Sequence, residues 1–307
     1  MSKPQHGRDD VHGILLLDKP VGVTSNGALQ QAKHLLAARK AGHTGSLDPI
    51  ATGLLPLCFG DTTKISRFLL GADKRYWARI RLGETTTTGD SEGEVIETRD
   101  VAVTAAQVEN ALASFRGEIE QIPPMFSALK RQGQPLYKLA RQGISVEREP
   151  RRVVVYNSEL ERFFDREFDV TIHCSSGFYV RSLAHDLGDY LGCGGHVSAL
   201  RRTGVGGFDV AAAVTLEALR QRPGAVERRT DLLTGDQGLT HIPAVELSVD
   251  AAFYLCRGQA VRAADVPESG WVRLYSQGAG FLGVGTVLED GRVAPKRLFH
   301  GRSAGCG

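Results

Sequence analysis

The sequence predicts an α+β fold with a small β-barrel module at its C-terminal end. Three observations point there: segments in which apolar and polar residues alternate, segments with apolar residues at helical spacing behind capping residues, and short strand candidates cut by glycines after residue 270. Residues 11–17 form an apolar run ending in Asp18, Lys19, Pro20, Val21 and Gly22, a strand followed by turn chemistry. Thr24 or Ser25 then caps a helix in which Ala28, Leu29, Ala32, Leu35 and Leu36 make one apolar stripe. Residues 42–53 are too rich in Gly, Pro and polar side chains for a helix or strand and are expected to form a shaped loop, after which residues 54–59 turn apolar.

Tyr76, Ala78, Ile80 and Leu82 alternate with Trp77, Arg79 and Arg81, as in a half-exposed strand. Thr104 with Gln107 spells a capping box for a helix running through Val108, Leu112 and Phe115 and stopped by Gly117. Phe168, Val170, Ile172 and Cys174 mark another strand. Val180, Leu183, Ala184, Leu187 and Leu191 then mark a helix that places Tyr179 and Arg181 near its N-terminus. Residues 221–244 combine few apolar residues with prolines, glycines and clustered charges and read as an interdomain linker. Residues 248–258 suit a short helix, and residues 271–275, 281–288 and 293–299 supply the barrel strands. The expected division is a first domain over residues 1–243, linker included, and a second over residues 244–307.

Composition narrows the function. The 307 residues are 42% hydrophobic and 23% charged, and no apolar run approaches the ~18 to 20 residues that span a bilayer. The first 13 residues are polar and lack the hydrophobic core of a signal peptide, so a cytoplasmic protein without membrane contact is expected. Five cysteines, Cys58, Cys174, Cys193, Cys256 and Cys306, are odd in number and lack a CxxC pair, against a disulfide framework or a four-cysteine zinc site. Cys174, His185, Cys193 and His196 make a poor zinc set because Cys174 faces the apolar side of its strand and no second compact ligand pair exists. No P-loop is present, and residues 204–207 lack the full GxGxxG spacing. Neither metal nor cofactor is expected. Net charge is only +2, yet residues 61–81 carry +4 and residues 124–152 carry +5, which provides a basic face for nucleic acid within a nearly neutral total.

The unusual stretch is residues 42–53, Gly-His-Thr-Gly-Ser-Leu-Asp-Pro-Ile-Ala-Thr-Gly. Pro49 restricts Asp48 to extended backbone, the glycines permit close approach by a ligand, and His43 and Thr44 add polar groups. Such a loop suits the presentation of a carboxylate. It also resembles the catalytic motif of the TruB family of tRNA pseudouridine synthases. Residues 13–24 are similar to that family's opening segment, Lys74, Arg75 and Tyr76 to its second motif, and residues 123–130 to its central motif. Residues 176–187 and 195–203 complete the set in the family's order. Ser46 stands where the family often has alanine, and the resemblance is weakest over residues 220–247.

The resemblance implies a largely antiparallel mixed sheet followed by a PUA-type RNA-binding module. It implies isomerisation of the uridine at position 55 in the tRNA T-loop. By the same resemblance Asp48 is the essential carboxylate, a nucleophile at C1′ or a base at the 2′ position, Arg181 pairs with it, and Tyr76 stacks on the flipped base. Tyr179 offers a phenol to base or sugar, Leu200 forms an apolar wall, and His43 fills the gap left by the flipped nucleotide. Lys19, Lys64, Lys130 and Arg202 are candidate contacts to the RNA backbone. The implied partner is a tRNA T-stem-loop, with no obligate protein partner evident. Two other readings stay open on the residues alone: an RNA-binding or RNA-folding module that remodels the loop without chemistry, and a hydrolase with an aspartate nucleophile. The latter needs a second acid or base near Asp48, and no motif supplies one.

Overall fold

A computed structural model describes residues 9–278 and 280–299; the polar start before residue 9, Cys306 and the last eight residues of the expected second domain lie outside the described residues. The chain opens with strand β1 (Gly13–Lys19), helix α1 (Ser25–Leu35), and strands β2 (Ala41–His43) and β3 (Thr52–Phe59). A 3-10 turn (Gly60–Ile65) leads to α2 (Ser66–Leu70), β4 (Lys74–Leu82), the hairpin β5 (Glu84–Thr86) and β6 (Val95–Thr98), α3 (Ala105–Ser114) and β7 (Gly117–Gln121). The small pair β8 (Lys130–Arg131) and β9 (Gln134–Pro135) precedes α4 (Leu136–Ala140), the long β10 (Arg151–Phe164), β11 (Glu167–Cys174), α5 (Val180–Tyr190) and β12 (Gly195–Val205). After β13 (Phe208–Asp209) and β14 (Val214–Thr215) come α6 (Leu216–Gln221) and α7 (Ala225–Arg228). The C-terminal part holds β15 (Ala244–Leu247), α8 (Val249–Cys256), β16 (Trp271–Ser276), β17 (Gly280–Val287) and β18 (Val293–Leu298).

Among the described residues, ten strands form one mixed sheet in the order β14-β1-β3-β12-β4-β11-β10-β7, with β2 added to β3 and β13 to β12. Only β1–β14 and β3–β12 are parallel. The alternation read from the sequence sets the faces: Ala78, Ile80, Leu82, Phe168, Val170 and Ile172 turn into one core with the apolar stripes of α1, α3 and α5. Thr24 caps α1 by accepting from Gly27 N–H, and Thr104 and Gln107 form the expected capping box on α3. On the opposite face Ile14, Leu16, Leu54 and Cys58 pack with Leu69 of α2.

Three expectations are corrected. The segment 42–53 is not loop throughout: Gly42 and His43 belong to β2, and Thr52 and Gly53 open β3, because their main-chain groups pair with neighbouring strands. Residues 221–244 are folded rather than a free linker. Arg228 and Arg229 donate to the carbonyls of Leu35 and Leu36 at the end of α1, and Ile14 and Leu233 exchange two 2.8 Å backbone bonds. Two of the clustered charges that suggested a linker, Arg228 and Arg229, thus serve to satisfy a helix C-terminus. Third, the C-terminal strands make an open four-stranded sheet, order β15-β16-β17-β18, and no closed barrel forms among the described residues. Four strands are too few to wrap round a core, and α8 packs across them instead.

The C-terminal sheet has its own core around Leu255, Val272, Leu274 and Leu282. A second cluster joins it to the large sheet: Ile65 and Phe68 from the turn and α2 meet Leu239, Ile242, Trp271 and Val284. Phe68 meets Trp271 edge-on at 5.1 Å, and the Arg67 guanidinium lies 4.1 Å above the same ring. No helix among the described residues is long and apolar enough to cross a membrane.

Candidate active site

The loop between β2 and β3 is shaped by bonds to three distant segments. Ser25, the first residue of α1, accepts from Leu47 N–H at 2.7 Å and donates to its carbonyl at 3.0 Å. Gly22 N–H donates to the Pro49 carbonyl at 2.8 Å. Arg202, on β12 and 1% exposed, donates to the carbonyls of Leu54, Gly45 and Ser46. Gly53 makes this closeness possible: at φ +99° its backbone passes Arg202 so tightly that a Cβ would stand 2.3 Å from the Arg202 carbonyl oxygen.

Asp48 projects from this loop with its carboxylate 2.9 Å from Nη2 of Arg181. Arg181 follows Val180 in the first turn of α5 and is buried, 6% exposed. Its Nη1 donates to the Thr88 carbonyl at 2.9 Å and its Nη2 to the Phe126 carbonyl at 2.8 Å, so the head is fixed from two sides. Asp90 stands on its other flank, with Nε to Oδ2 at 3.6 Å. Asp90 is 2% exposed and is itself aimed by Thr88 Oγ1 at 2.5 Å and the Glu92 N–H at 3.1 Å. A cation near the positive end of a helix needs such acidic company, and here it has two carboxylates.

Burial pushes the Asp48 carboxyl above its ordinary range, Arg181 opposes that shift, and the Asp90 charge adds to it. Burial and Asp90 raise Glu92 as well. Burial holds the Tyr76 and Tyr179 phenols protonated well into alkali. His43 is pushed down by burial and then by Arg202, which favours the neutral ring; its Nδ1 is buried without a hydrogen-bond partner among the described residues. Tyr76 sits beside Arg202 in the ladder between β4 and β12, and Leu200 lies two residues before Arg202, 9% exposed. Tyr179 immediately precedes α5.

The Asp48 carboxylate thus meets Arg181 directly, Tyr76 and Tyr179 lie near enough to feel its charge, and Arg202 holds the loop that carries it, although three of the four basic residues read as RNA contacts occupy other roles. Lys19 is fully buried, and its ammonium donates to the carbonyls of Pro20, Val23 and Pro49. Burial lowers its pKa to about 8, with Asp48 resisting the shift. Arg202 is spent on the carbonyls of the Asp48 loop. Lys64 pairs with Asp61 at 2.7 Å and donates to the Leu298 carbonyl, tying the C-terminal sheet down. Only Lys130 is exposed, beside a cleft of about 410 Å³ shared with Arg131, Arg148 and Arg151. Asp90 is the functional group that sequence reasoning missed; its one signal was an acidic residue after a run of threonines, which reads equally as a turn.

A larger cleft of about 680 Å³ lies behind Arg181, between residues 85–89, residues 120–126 and α5, and neither Asp48 nor Tyr76 lines it. Among the described residues no three His, Cys, Asp or Glu side chains gather as a metal-binding group. Cys174 and Cys193 are buried, His196 meets the Glu84 carbonyl through Nδ1, and His185 pairs with Asp189.

The model of the TruB family pseudouridylate synthase N-terminal domain matches residues 33–180. That of the tRNA pseudouridylate synthase B C-terminal domain matches residues 181–232, and that of the pseudouridine synthase II TruB C-terminal region matches residues 243–299. The chain is 54% identical over 303 residues to tRNA pseudouridine synthase B of Stutzerimonas stutzeri, covering 98% of this chain and 99% of that protein. To the protein of the same name from Nitrosococcus oceani it is 53% identical over 297 residues, covering 96% of each. Its backbone matches a chain in the crystal structure of a Cbf5-Nop10-Gar1 complex with a TM-score of 0.75 at 24% identity, covering 99% of this chain and 92% of that one, a likeness of fold. With more than half its residues shared along nearly its full length, and with Asp48 and Arg181 of two of its motifs paired, the chain belongs to the TruB family of pseudouridylate synthases.

Proposed function

We propose that this chain isomerises the uridine at position 55 of the tRNA T-loop, using Asp48 as its essential carboxylate. The observation that carries the reading is the 2.9 Å pair of Asp48 with a buried Arg181 whose guanidinium is also held by the carbonyls of Thr88 and Phe126. Isomerisation breaks the bond between N1 and C1′, rotates the uracil, and joins C5 to C1′; the C5 proton is lost and N1 gains one. No electrons are exchanged. Attack on C1′ and removal of the 2′ proton both need an ionised carboxylate. Arg181 supplies the charge that keeps Asp48 ionised against its burial and fixes which oxygen faces the ribose.

A uridine within a folded loop must leave its stack to reach Asp48, and Tyr76, neutral and half-buried, offers an aromatic face for the displaced base. Neutral His43 suits a stacking role toward the remaining loop bases, Tyr179 a contact to base or sugar, and Leu200 an apolar wall. Lys19 and Arg202 support the chemistry from beneath by holding the loop that carries Asp48. Residues 244–307 serve as an accessory RNA-binding domain of PUA type. The test is Asp48→Asn, which keeps shape and hydrogen bonding but not charge. The folded variant binds a T-arm stem-loop and releases no C5 proton; turnover near the wild-type rate would overturn the assignment.

A further inference from the structure

Helix α5 launches both Tyr179 and Arg181, yet Tyr179 caps it without a side-chain hydrogen bond. Its main chain is held by Gln121, the last residue of β7. Tyr179 N–H donates to Gln121 Oε1 at 3.0 Å, and Gln121 Nε2 donates to the Tyr179 carbonyl at 3.2 Å. A carboxamide donates and accepts in one plane, so the pair imitates a rung of antiparallel ladder between two peptide groups. Gln121 is 2% exposed, and its own backbone is paired with Arg151 of β10, so the amide is anchored to the large sheet. The contact continues beyond it: Ser182 Oγ donates to the Ile122 carbonyl at 2.8 Å, and Arg181 Nη2 reaches the Phe126 carbonyl. Residues 121–126 thus hold both the backbone from which Arg181 departs and the guanidinium that meets Asp48.

We propose that Gln121 is a positioning residue of the isomerisation site, setting the start of α5 so that Arg181 reaches Asp48 and Tyr179 is held beside it. The proposal rests on the roles given above to Asp48 and Arg181. Packing alone would be served by a methionine or leucine. An amide is needed because the Tyr179 N–H would otherwise lose its acceptor; the Tyr179 carbonyl also accepts from Leu183 N–H at 3.1 Å, so Gln121 Nε2 fills its second lone pair. A shift of about 1 Å at the base of Arg181 is enough to cost on the order of 100-fold in rate.

Two variants of the full chain test this, with single-turnover C5 proton release, binding of a T-arm stem-loop and thermal unfolding as readouts. Gln121→Met keeps the length and loses both hydrogen bonds. It slows the chemical step by roughly 10- to 100-fold while the Kd changes by less than about threefold. In Gln121→Glu the ionised carboxylate still accepts from Tyr179 N–H but opposes the Tyr179 carbonyl; once protonated, it donates there and restores the pair. The ratio of Gln121→Glu to wild-type rates therefore rises as pH falls, a dependence that a purely structural role does not produce. A wild-type rate in Gln121→Met, or a ratio flat with pH, overturns the proposal, and if Gln121→Met fails to fold the ratio alone decides. Asp48→Asn in the same assay separates the two readings. Turnover by Asp48→Asn defeats the Asp48 assignment, whereas a full-rate Gln121→Met beside an inactive Asp48→Asn defeats only the role of Gln121.

Discussion

At Asp48 two electrostatic effects oppose each other, and in the role proposed for it their balance sets the working pH. Burial raises its carboxyl and Asp90 adds to the rise, while Arg181 lowers it. For folding, the sign favours acid: the folded chain holds this proton more tightly than the unfolded one, and that contribution is lost as pH rises through the folded value. In the role proposed for Asp48 the sign is reversed, because that role needs the ionised form, so the rate is expected to fall on the acid side at a pH above the ordinary carboxylate range. Asp90→Asn removes a like charge from the neighbourhood of Asp48 and one of the two carboxylates on Arg181. The acid limb of the single-turnover rate, measured between about pH 5 and 9, therefore moves to lower pH, while the plateau drops by roughly tenfold because Arg181 is less firmly aimed. An acid limb that stays in place would show that the two carboxylates are not coupled.

The loop between β2 and β3 depends on backbone geometry as much as on its acidic residue. Gly53→Ala sets a Cβ against the Arg202 main chain at a positive φ, and the strain plus the clash cost roughly 2 to 4 kcal/mol. Thermal and denaturant unfolding check this; full stability with full activity would mean the close approach is dispensable. The glycines, Pro49 and Asp48 made this loop legible in the sequence, as the Thr104–Gln107 box and the apolar alternation of β4 and β11 did for their elements. What stayed hidden was long-range satisfaction of polar groups. Lys19 and Arg202 read as contacts to the RNA backbone, and Arg228 and Arg229 as linker charge, yet each supplies donors to carbonyls that only the tertiary fold brings near. Asp90 was equally illegible, since its importance comes from an arginine 91 positions later. The barrel was over-read because alternation identifies strands but does not say whether a sheet closes.

At the scale of the whole chain the C-terminal sheet braces the large one. A chain ending at Pro243 leaves Ile65, Phe68, Leu239 and Ile242 without Trp271 and Val284, and frees Lys64 from the Leu298 carbonyl. Such a truncation loses at least about 2 kcal/mol of stability along with affinity for whole tRNA, and an unchanged melting temperature would show that this packing contributes nothing. The same assembly redistributes the charge read from the sequence. Within residues 61–81, Lys64, Arg75, Arg79 and Arg81 each meet an acidic partner and Lys74 is buried. By contrast Lys130, Arg131, Lys138, Arg141 and Arg151 stand exposed, with Arg152 exposed beside Glu120, so the basic face is concentrated in residues 124–152. RNA phosphates are therefore expected to release their counterions chiefly there. Lys130→Ala combined with Arg131→Ala weakens binding similarly for stem-loops of different sequence. It also reduces the slope of log K against log salt by roughly 0.7 to 0.9 for each phosphate that the variant no longer neutralises. The measurement is a series of stem-loop dissociation constants from low to high salt for both proteins. Parallel lines would place the RNA backbone elsewhere on the surface, whereas lines that converge as salt rises mark this segment as its electrostatic footing.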